Sequence, residues 1–336
     1  MPKFSHTILA RFPLLLIERA ERMGAKRADL LAQARLTEAI LAEPDTRIAA
    51  ARHWDLWRAV IEQLPDPALG VKLGANVHVR QAGLVGYAML HSHTLDHAIK
   101  RLVRYERILE DTTNLSREPD GSRDRLIVEE PLPLAGLRQP IESDVAAIVT
   151  CLREITGIAR LPLDVHLPYP RPANMDPYRE ALGHSIQFDR PTAAIVFDGA
   201  DMDLPVLARD ETLCSYLDEH ADRVLKQLGS RSYSEQVQRV LWGELSEGQP
   251  TIKTVARALG TSTRTLQRRL YDEGVTFAEL LDTFRRRMAS ELLQRHDLAV
   301  YEVAFLLGYS EPSTFFRAFR RWTGMSPLKY REAPGQ

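Results

Sequence analysis

The residues best suited to chemistry in this sequence are arginines, a glutamine and hydroxyls near its C-terminal end. Arg264, Gln267, Arg268 and Tyr271 fall at i, i+3, i+4 and i+7, so on a helix they share one face. Ser313, Phe316, Arg317 and Arg320 repeat that spacing further on. Arginine can meet guanine, and glutamine adenine, through two hydrogen bonds in a major groove wide enough to admit a helix. One such face taken alone could equally be a solvated basic surface. Two faces in matched settings point instead to base reading.

The elements that must hold these faces are written twice. The first copy, TIKTVARALGTSTRTLQRRLYDEG, runs from Thr251 to Gly274, and the second, VYEVAFLLGYSEPSTFFRAFRRWTG, from Val300 to Gly324. Val255-Ala256 and Val303-Ala304 each lead to a glycine, Gly260 or Gly308, then to a polar turn and a second helix. Leu266/Leu270 and Phe315/Phe319, at i,i+4, supply the apolar face opposite the polar one. Thr276 and Glu279 form a capping box that opens a helix to about Arg295. Its length of roughly 28 Å, at 1.5 Å per residue, suits a strut between helices entering major grooves one DNA turn, about 34 Å, apart. Gly274 and Gly324 are placed as left-handed C-caps, and Ser326-Pro327 starts a short last helix.

Other groups that could do chemistry do not assemble into a motif. His78, His91, His93 and His97 lie close in sequence, but no Cys or Glu completes a metal-binding set and Thr94 reads as a helix cap that leaves His93 outside. Capping or surface roles are the ordinary reading, and no metal or cofactor is expected. Gly83 and Gly86 follow no strand and lack the acidic partner of a nucleotide fingerprint. Cys151 and Cys214 are the only cysteines, without CxxC spacing, which fits two buried thiols in a reducing compartment. The apolar run from Phe12 to Ile17 is too short to span a membrane, and a cytoplasmic protein is expected.

From Val303 through GYSEPSTFFRAFRRWTGMSPLKYR the sequence resembles the signature of the AraC/XylS family of transcription regulators. That resemblance implies base reading by Arg264, Gln267 and Arg268 in one groove and by Ser313, Thr314 and Arg317 in the next. Lys253, Thr263, Arg269 and Arg320 are then the candidates for DNA-backbone contact, with the helix N-termini. Two positions depart from the pattern. Ala299 replaces the usual Ser/Thr cap, so its helix is expected to fray at a cost of about 1 kcal/mol. Phe316 stands where a small residue is commoner, and could touch a thymine methyl or fold back onto Trp322. Residues 1 to about 210 resemble the arabinose-binding-type N-terminal domain of one branch of the family, through LPDPALGVKLG and GLVGYAMLHSHTLDHAIKRLVRYERIL. This implies a ligand-sensing and dimerising role with no named effector.

Length and charge fit such a division. The chain has 336 residues and a net charge of -1, but from Arg231 onward 16 basic and 12 acidic residues give +4, leaving -5 before it. A basic module on a mildly acidic body is what a DNA reader with a separate sensor would show.

The first part reads as helices over Leu9–Met23, Ala28–Ala34, Thr46–Leu64 and Leu69–Gly74, and from about Leu95 to Leu109. Trp54, Trp57 and Ile61 form a stripe that is core first and ligand box second. A hairpin about Pro119-Asp120-Gly121-Ser122, a helix over Ile141–Thr156 and strands at Leu161–Leu167, Ser185–Phe188 and Ala193–Phe197 follow. Leu213, Leu217, His220, Val224 and Leu228 then form a stripe read as intradomain core before dimer contact.

The expected architecture has two domains. Residues 1–228 form an α+β sensing and dimerisation domain with helices around a small, mostly antiparallel sheet. A hinge at 229–232 leads to an all-α domain, 233–333, with two helix-turn-helix motifs joined by a long helix. The expected function is sequence-specific regulation of transcription, with activation as the expected sign, under a small-molecule effector. Expected partners are double-stranded DNA, RNA polymerase and a second copy of the chain. An enzyme with a DNA-binding appendage is the alternative, although no nucleophile elbow, phosphate loop or paired metal spacing is present. A nonspecific architectural protein is the other, disfavoured by the glutamine, the serine and the near-neutral charge.

Overall fold

The computed structural model describes residues 6–111, 113–129, 137–159, 161, 163–228, 233–234, 236–238, 240–241, 250–293 and 298–332, the side chains of 287 and 291 excepted. It divides into two compact units, Met1–Gly229 and Ser230–Gln336. The hinge expected at 229–232 and the end of the helix expected from Tyr233 to Leu245 lie outside the described residues.

The first unit begins with β1 (Thr7–Leu9), α1 (Arg11–Arg22), α2 (Arg27–Ala34), α3 (Glu38–Leu41), β2 (Arg47–Ala49) and α4 (Ala50–Gln63). The sequence expectation of unbroken helix from Thr46 is corrected here. Arg47–Ala49 pair antiparallel with Thr7–Leu9, Ile8 opposite Ile48. Arg47 decides this: its Nε donates to Thr7 Oγ1 at 2.7 Å and its Nη1 to the Ile108 carbonyl at 2.9 Å, partners far away in sequence. Ile17, Leu30, Leu56 and Val60, all fully buried, form the core shared by these helices.

Next come α5 (Leu69–Gly74), α6 (Gly83–Leu90) and α7 (Leu95–Leu109). The hairpin β3 (Asn114–Asp120) and β4 (Arg123–Glu129) turns through Gly121-Ser122, with Asp120 opposite Arg123 and Gly121 at φ +66°, as a II′ turn requires. Then follow α8 (Arg138–Thr156), β5 (Leu163–His166), α9 (Asp176–Leu182), β6 (Ile186–Gln187), β7 (Ala193–Asp198) and α10 (Glu211–Gln227). The sheet order is β3-β4-β7-β5-β6, antiparallel except for β5 with β6. Ala193 to Phe197 are buried without alternation, as befits a middle strand covered on both faces.

Helix α5 lies backbone against backbone on α8. A Cβ added at Gly70 would stand 2.3 Å from the Gln139 carbonyl oxygen, and one at Gly74 2.2 Å from that of Ser143. The two glycines, four residues apart, give one helix face with no side chain in the way.

On α10 the expected core stripe is corrected in part, since Val224 does pack against the core. Leu213 and His220 are exposed, and the buried residues are Cys214 and Ala221, small enough for close approach to the rest of the unit. Asp218 faces inward with them, accepting both Arg101 Nε at 2.9 Å and Arg101 Nη2 at 2.7 Å, and the Tyr105 hydroxyl at 3.1 Å. A half-buried ion pair, which hydrophobic spacing does not reveal, faces the rest of the unit from this side of the helix.

In the second unit, the described residues between 233 and 241 are helical. They are followed by α11 (Ile252–Ala258), α12 (Thr263–Asp272), α13 (Phe277–Leu293), α14 (Val300–Leu306), α15 (Pro312–Thr323) and α16 (Pro327–Glu332). The capping box at Thr276 and Glu279 is formed in both directions, Thr276 N–H to Glu279 Oε2 at 2.8 Å and Glu279 N–H to Thr276 Oγ1 at 3.2 Å.

Candidate nucleic-acid interface and ligand cavity

The first reading helix, α12, is set by its buried side. Leu266 and Leu270 are fully buried, while Arg264, Gln267, Arg268 and Tyr271 are exposed together on the other face. Ser262 caps the helix by accepting the Thr265 N–H at 3.1 Å, and Thr251 caps α11 through Thr254 N–H at 3.2 Å. Lys253 is exposed and Thr263 half-buried in the first turn of α12. Arg269 is exposed too, but its guanidinium sits 4.2 Å above the Tyr233 ring, a stacking that ties α12 to the start of this unit. Glu273 strengthens the tie: its carboxylate accepts the backbone N–H groups of Tyr233 and Ser234, at 2.5 and 2.9 Å.

The second reading helix, α15, buries Phe315 and Phe319 completely and exposes Ser313, Thr314, Arg317 and Arg320. Arg317 Nη2 reaches Thr314 Oγ1 at 3.4 Å, and Ser313 Oγ donates to Glu311 at 3.3 Å. Phe316 lies half-buried with its ring edge-on to Phe315, while the ring against Trp322 is that of Phe319. Ala299 offers no side-chain cap to α14, but Glu302 reaches back to the Ala299 N–H at 2.6 Å, so half of the capping box survives.

Helix α13 grips this second motif through two residues. Arg285 donates to the carbonyls of Leu307 and Gly308, at 3.0 and 3.2 Å, and stacks 4.5 Å from the Tyr309 ring. Burial lowers its guanidinium and raises the Tyr309 hydroxyl. Asp282 accepts Arg321 Nη2 at 2.5 Å and the Trp322 indole N–H at 2.8 Å. These contacts tie the strut to the second motif.

The first unit contains a cavity of about 170 Å³. Phe12, Trp54, Trp57 and Met89 supply apolar wall. The polar wall is His53 from α4, Glu106 and Glu110 at the end of α7, Thr113, and Asp144 from α8. Desolvation pushes the His53 imidazole down to about 4, so it is neutral, and its Nδ1 has no hydrogen-bond partner among the described residues. Asp144 is half-buried in this wall, and desolvation there, with Glu110 beside it, holds its carboxyl well above the usual range. Burial also pushes the Cys151 thiol, in the same wall, up to about 12.

The grouped histidines are placed apart in role. His91 Nδ1 donates to the Ala208 carbonyl at 2.7 Å, His97 meets Thr94 Oγ1 at 2.8 Å, and His78 lies 3.7 Å from Glu154.

Sequence reasoning left the ligand-binding residues unknown. The pair Trp54/Trp57 and an acid on the inward face of α8 were the available signals, but these wall residues converge from three helices.

The profile described as the arabinose-binding domain of AraC transcription regulators, N-terminal, matches residues 24–206. A helix-turn-helix domain profile matches residues 255–333. This chain belongs to the AraC family. As an AraC-family regulator it carries a helix-turn-helix DNA-binding domain and an N-terminal ligand-binding domain. It is 30% identical to the ornithine utilization regulator of Pseudomonas aeruginosa over 95% of this chain and 94% of that one. It is 29% identical to an uncharacterised HTH-type transcriptional regulator of Mycobacterium tuberculosis over 94% of each. The crystal structure of the transcriptional regulator CdpR from Pseudomonas aeruginosa aligns over 94% of this chain and 97% of that one, with a TM-score of 0.44 and 22% identity. Among the described residues no helix is long and apolar enough to cross a membrane.

Proposed function

We propose that this AraC-family regulator activates transcription from promoters whose half-sites it reads in successive major grooves, under an effector held in the first unit. Arg264, Gln267 and Arg268 read bases in one groove and Ser313, Thr314 and Arg317 in the next. Lys253, Thr263, Arg269 and Arg320 contact the DNA backbone, with Arg269 held ready over Tyr233. The observation that carries this reading is the exposure of both arginine-bearing faces on helices whose opposite faces are fully buried.

The protein works as a cytoplasmic homodimer that contacts RNA polymerase and performs no catalysis of its own. The exposed side of α10, where Leu213 and Tyr216 face outward, supports a place for the dimer contact. The cavity walled by Trp54, Trp57 and Asp144 supports the effector site.

Arg268→Ala tests the DNA assignment. It is expected to lose about 1–3 kcal/mol on the specific site and to relax preference at one base pair. Equal affinity and an unchanged base preference in a binding-site selection would remove Arg268 from the reading set.

A further inference from the structure

Resting on the reading of the cavity as the effector site, we propose that its ligand is an organic cation, an amine without a carboxylate of its own, seated against Asp144 and the indoles of Trp54 and Trp57. Three observations converge on this chemistry.

The first is the state of Asp144. It is half-buried, it lines the cavity, and it has no hydrogen-bond or ion-pair partner among the described residues. A carboxylate drawn away from bulk water without a partner is costly, and folds ordinarily pair it. The same helix shows the ordinary solution. Glu142, fully buried, accepts Arg138 Nε at 2.8 Å and the Tyr178 hydroxyl at 2.9 Å through Oε1. Asp144 is left without such a donor, and the space in front of it is the cavity.

The second observation is charge. Glu106 and Glu110 share the wall, and the described lining includes no lysine or arginine. Glu106 is occupied by the Leu115 N–H and Glu110 by the Thr113 hydroxyl. His53, the remaining nitrogen base of the wall, is held neutral by burial. An anion entering here would meet acidic side chains and no lysine or arginine among the described lining, whereas an ammonium would be welcome. The third is aromatic. Indole faces are the best partners for a cation among the side chains, and the side chains of Trp54 and Trp57 line this site.

Size narrows the class. An engineered apolar cavity of about 150 Å³ takes up benzene, so about 170 Å³ suits a small aromatic or short aliphatic amine.

The groups facing Asp144 also set a pH dependence. Glu106 and Glu110 from α7, His53 from α4 and Cys151 from its own helix include no cation, and the carboxyl is raised by burial and by Glu110. A cation must therefore displace the Asp144 proton, and affinity rises with pH until the carboxyl is ionised in the empty protein.

The experiment titrates the full-length protein with benzylamine, benzyl alcohol and benzoate, three probes of one size, following heat release and thermal unfolding at pH 6 and pH 8. Benzylamine is expected to bind at least tenfold more tightly than either isostere, more tightly at pH 8 than at pH 6, and with proton release at pH 6. Asp144→Asn is expected to remain folded and to lose at least tenfold for benzylamine and the pH dependence with it, leaving benzyl alcohol unchanged. Equal or tighter binding of benzoate or benzyl alcohol, unaltered benzylamine binding by Asp144→Asn, or no binding of the amine at all would overturn the cation assignment. If Asp144→Asn does not fold, Glu110→Gln on the same probes serves, with a weakened preference for the amine expected and an unchanged one overturning it. Promoter affinity measured on the same protein reports separately on the DNA-reading assignment.

Discussion

Asp144 and His53 are buried titratable groups whose ordinary charged forms the cavity disfavours, and they bend the stability of the first unit in opposite directions. His53 is lowered to about 4 from the 6.5 of an exposed histidine. Its contribution is therefore present above pH 6.5 and is lost as pH falls towards 4. Asp144 is raised, so its contribution is full below the usual aspartate range and is lost as pH climbs through its elevated value. Thermal unfolding against pH should show less loss between pH 6.5 and 4 in His53→Phe than in the parent, and less loss as pH climbs above the ordinary aspartate range in Asp144→Asn. At the other end of the chain, Arg285 satisfies two carbonyls that the turn after α14 would otherwise leave open. Arg285→Leu is expected to cost about 1.5–3 kcal/mol, the range for hydrogen bonds to a charged group, measured by urea unfolding of the second unit.

Elements in this fold are fixed by their contacts as much as by their propensities. The α5 face at Gly70 and Gly74 admits no side chain against α8, and Gly74→Ala is expected to destabilise by about 1–3 kcal/mol, as overpacking does. Its melting temperature should fall, and unchanged melting would show that α5 can move away. Helix α14 offers the opposite case. Ala299 is already extended, at φ -71° and ψ 149°, with Glu302 bonded back to its N–H. Ala299→Ser completes the box and is expected to stabilise by about 1 kcal/mol, visible as slower amide exchange in the first turn of α14. The fraying expected from sequence is thus half answered by Glu302.

At the scale of the whole molecule, the 17 residues of α13 give the second unit a strut of about 25 Å. Two reading helices held by such a strut require fixed phasing on DNA. Five base pairs inserted between the two half-sites should turn the second away by half a helical turn and reduce affinity towards that of one motif. A gel-shift titration on the spaced and parent sites checks this, and equal affinity on both would mean that only one motif reads DNA.

The sequence by itself determined the second unit almost completely. Its helices are local, their apolar pairs repeat at i,i+4, and caps such as Ser262 and Thr276 lie within three residues of the amides they serve. The hairpin at Gly121 was legible for the same reason. Tertiary structure alone decided three things. It made Arg47–Ala49 a strand, because the partners of Arg47 lie at Thr7 and Ile108. It turned α10 onto Cys214 and Ala221, because Arg101 and Tyr105 hold Asp218 from another helix. It also made a cavity from His53, Trp57, Glu110 and Asp144, which stand on three separate helices or their ends and meet only when the chain has closed around them. Periodicity reports which way a side chain points along its own element; what stands opposite it is settled by the fold.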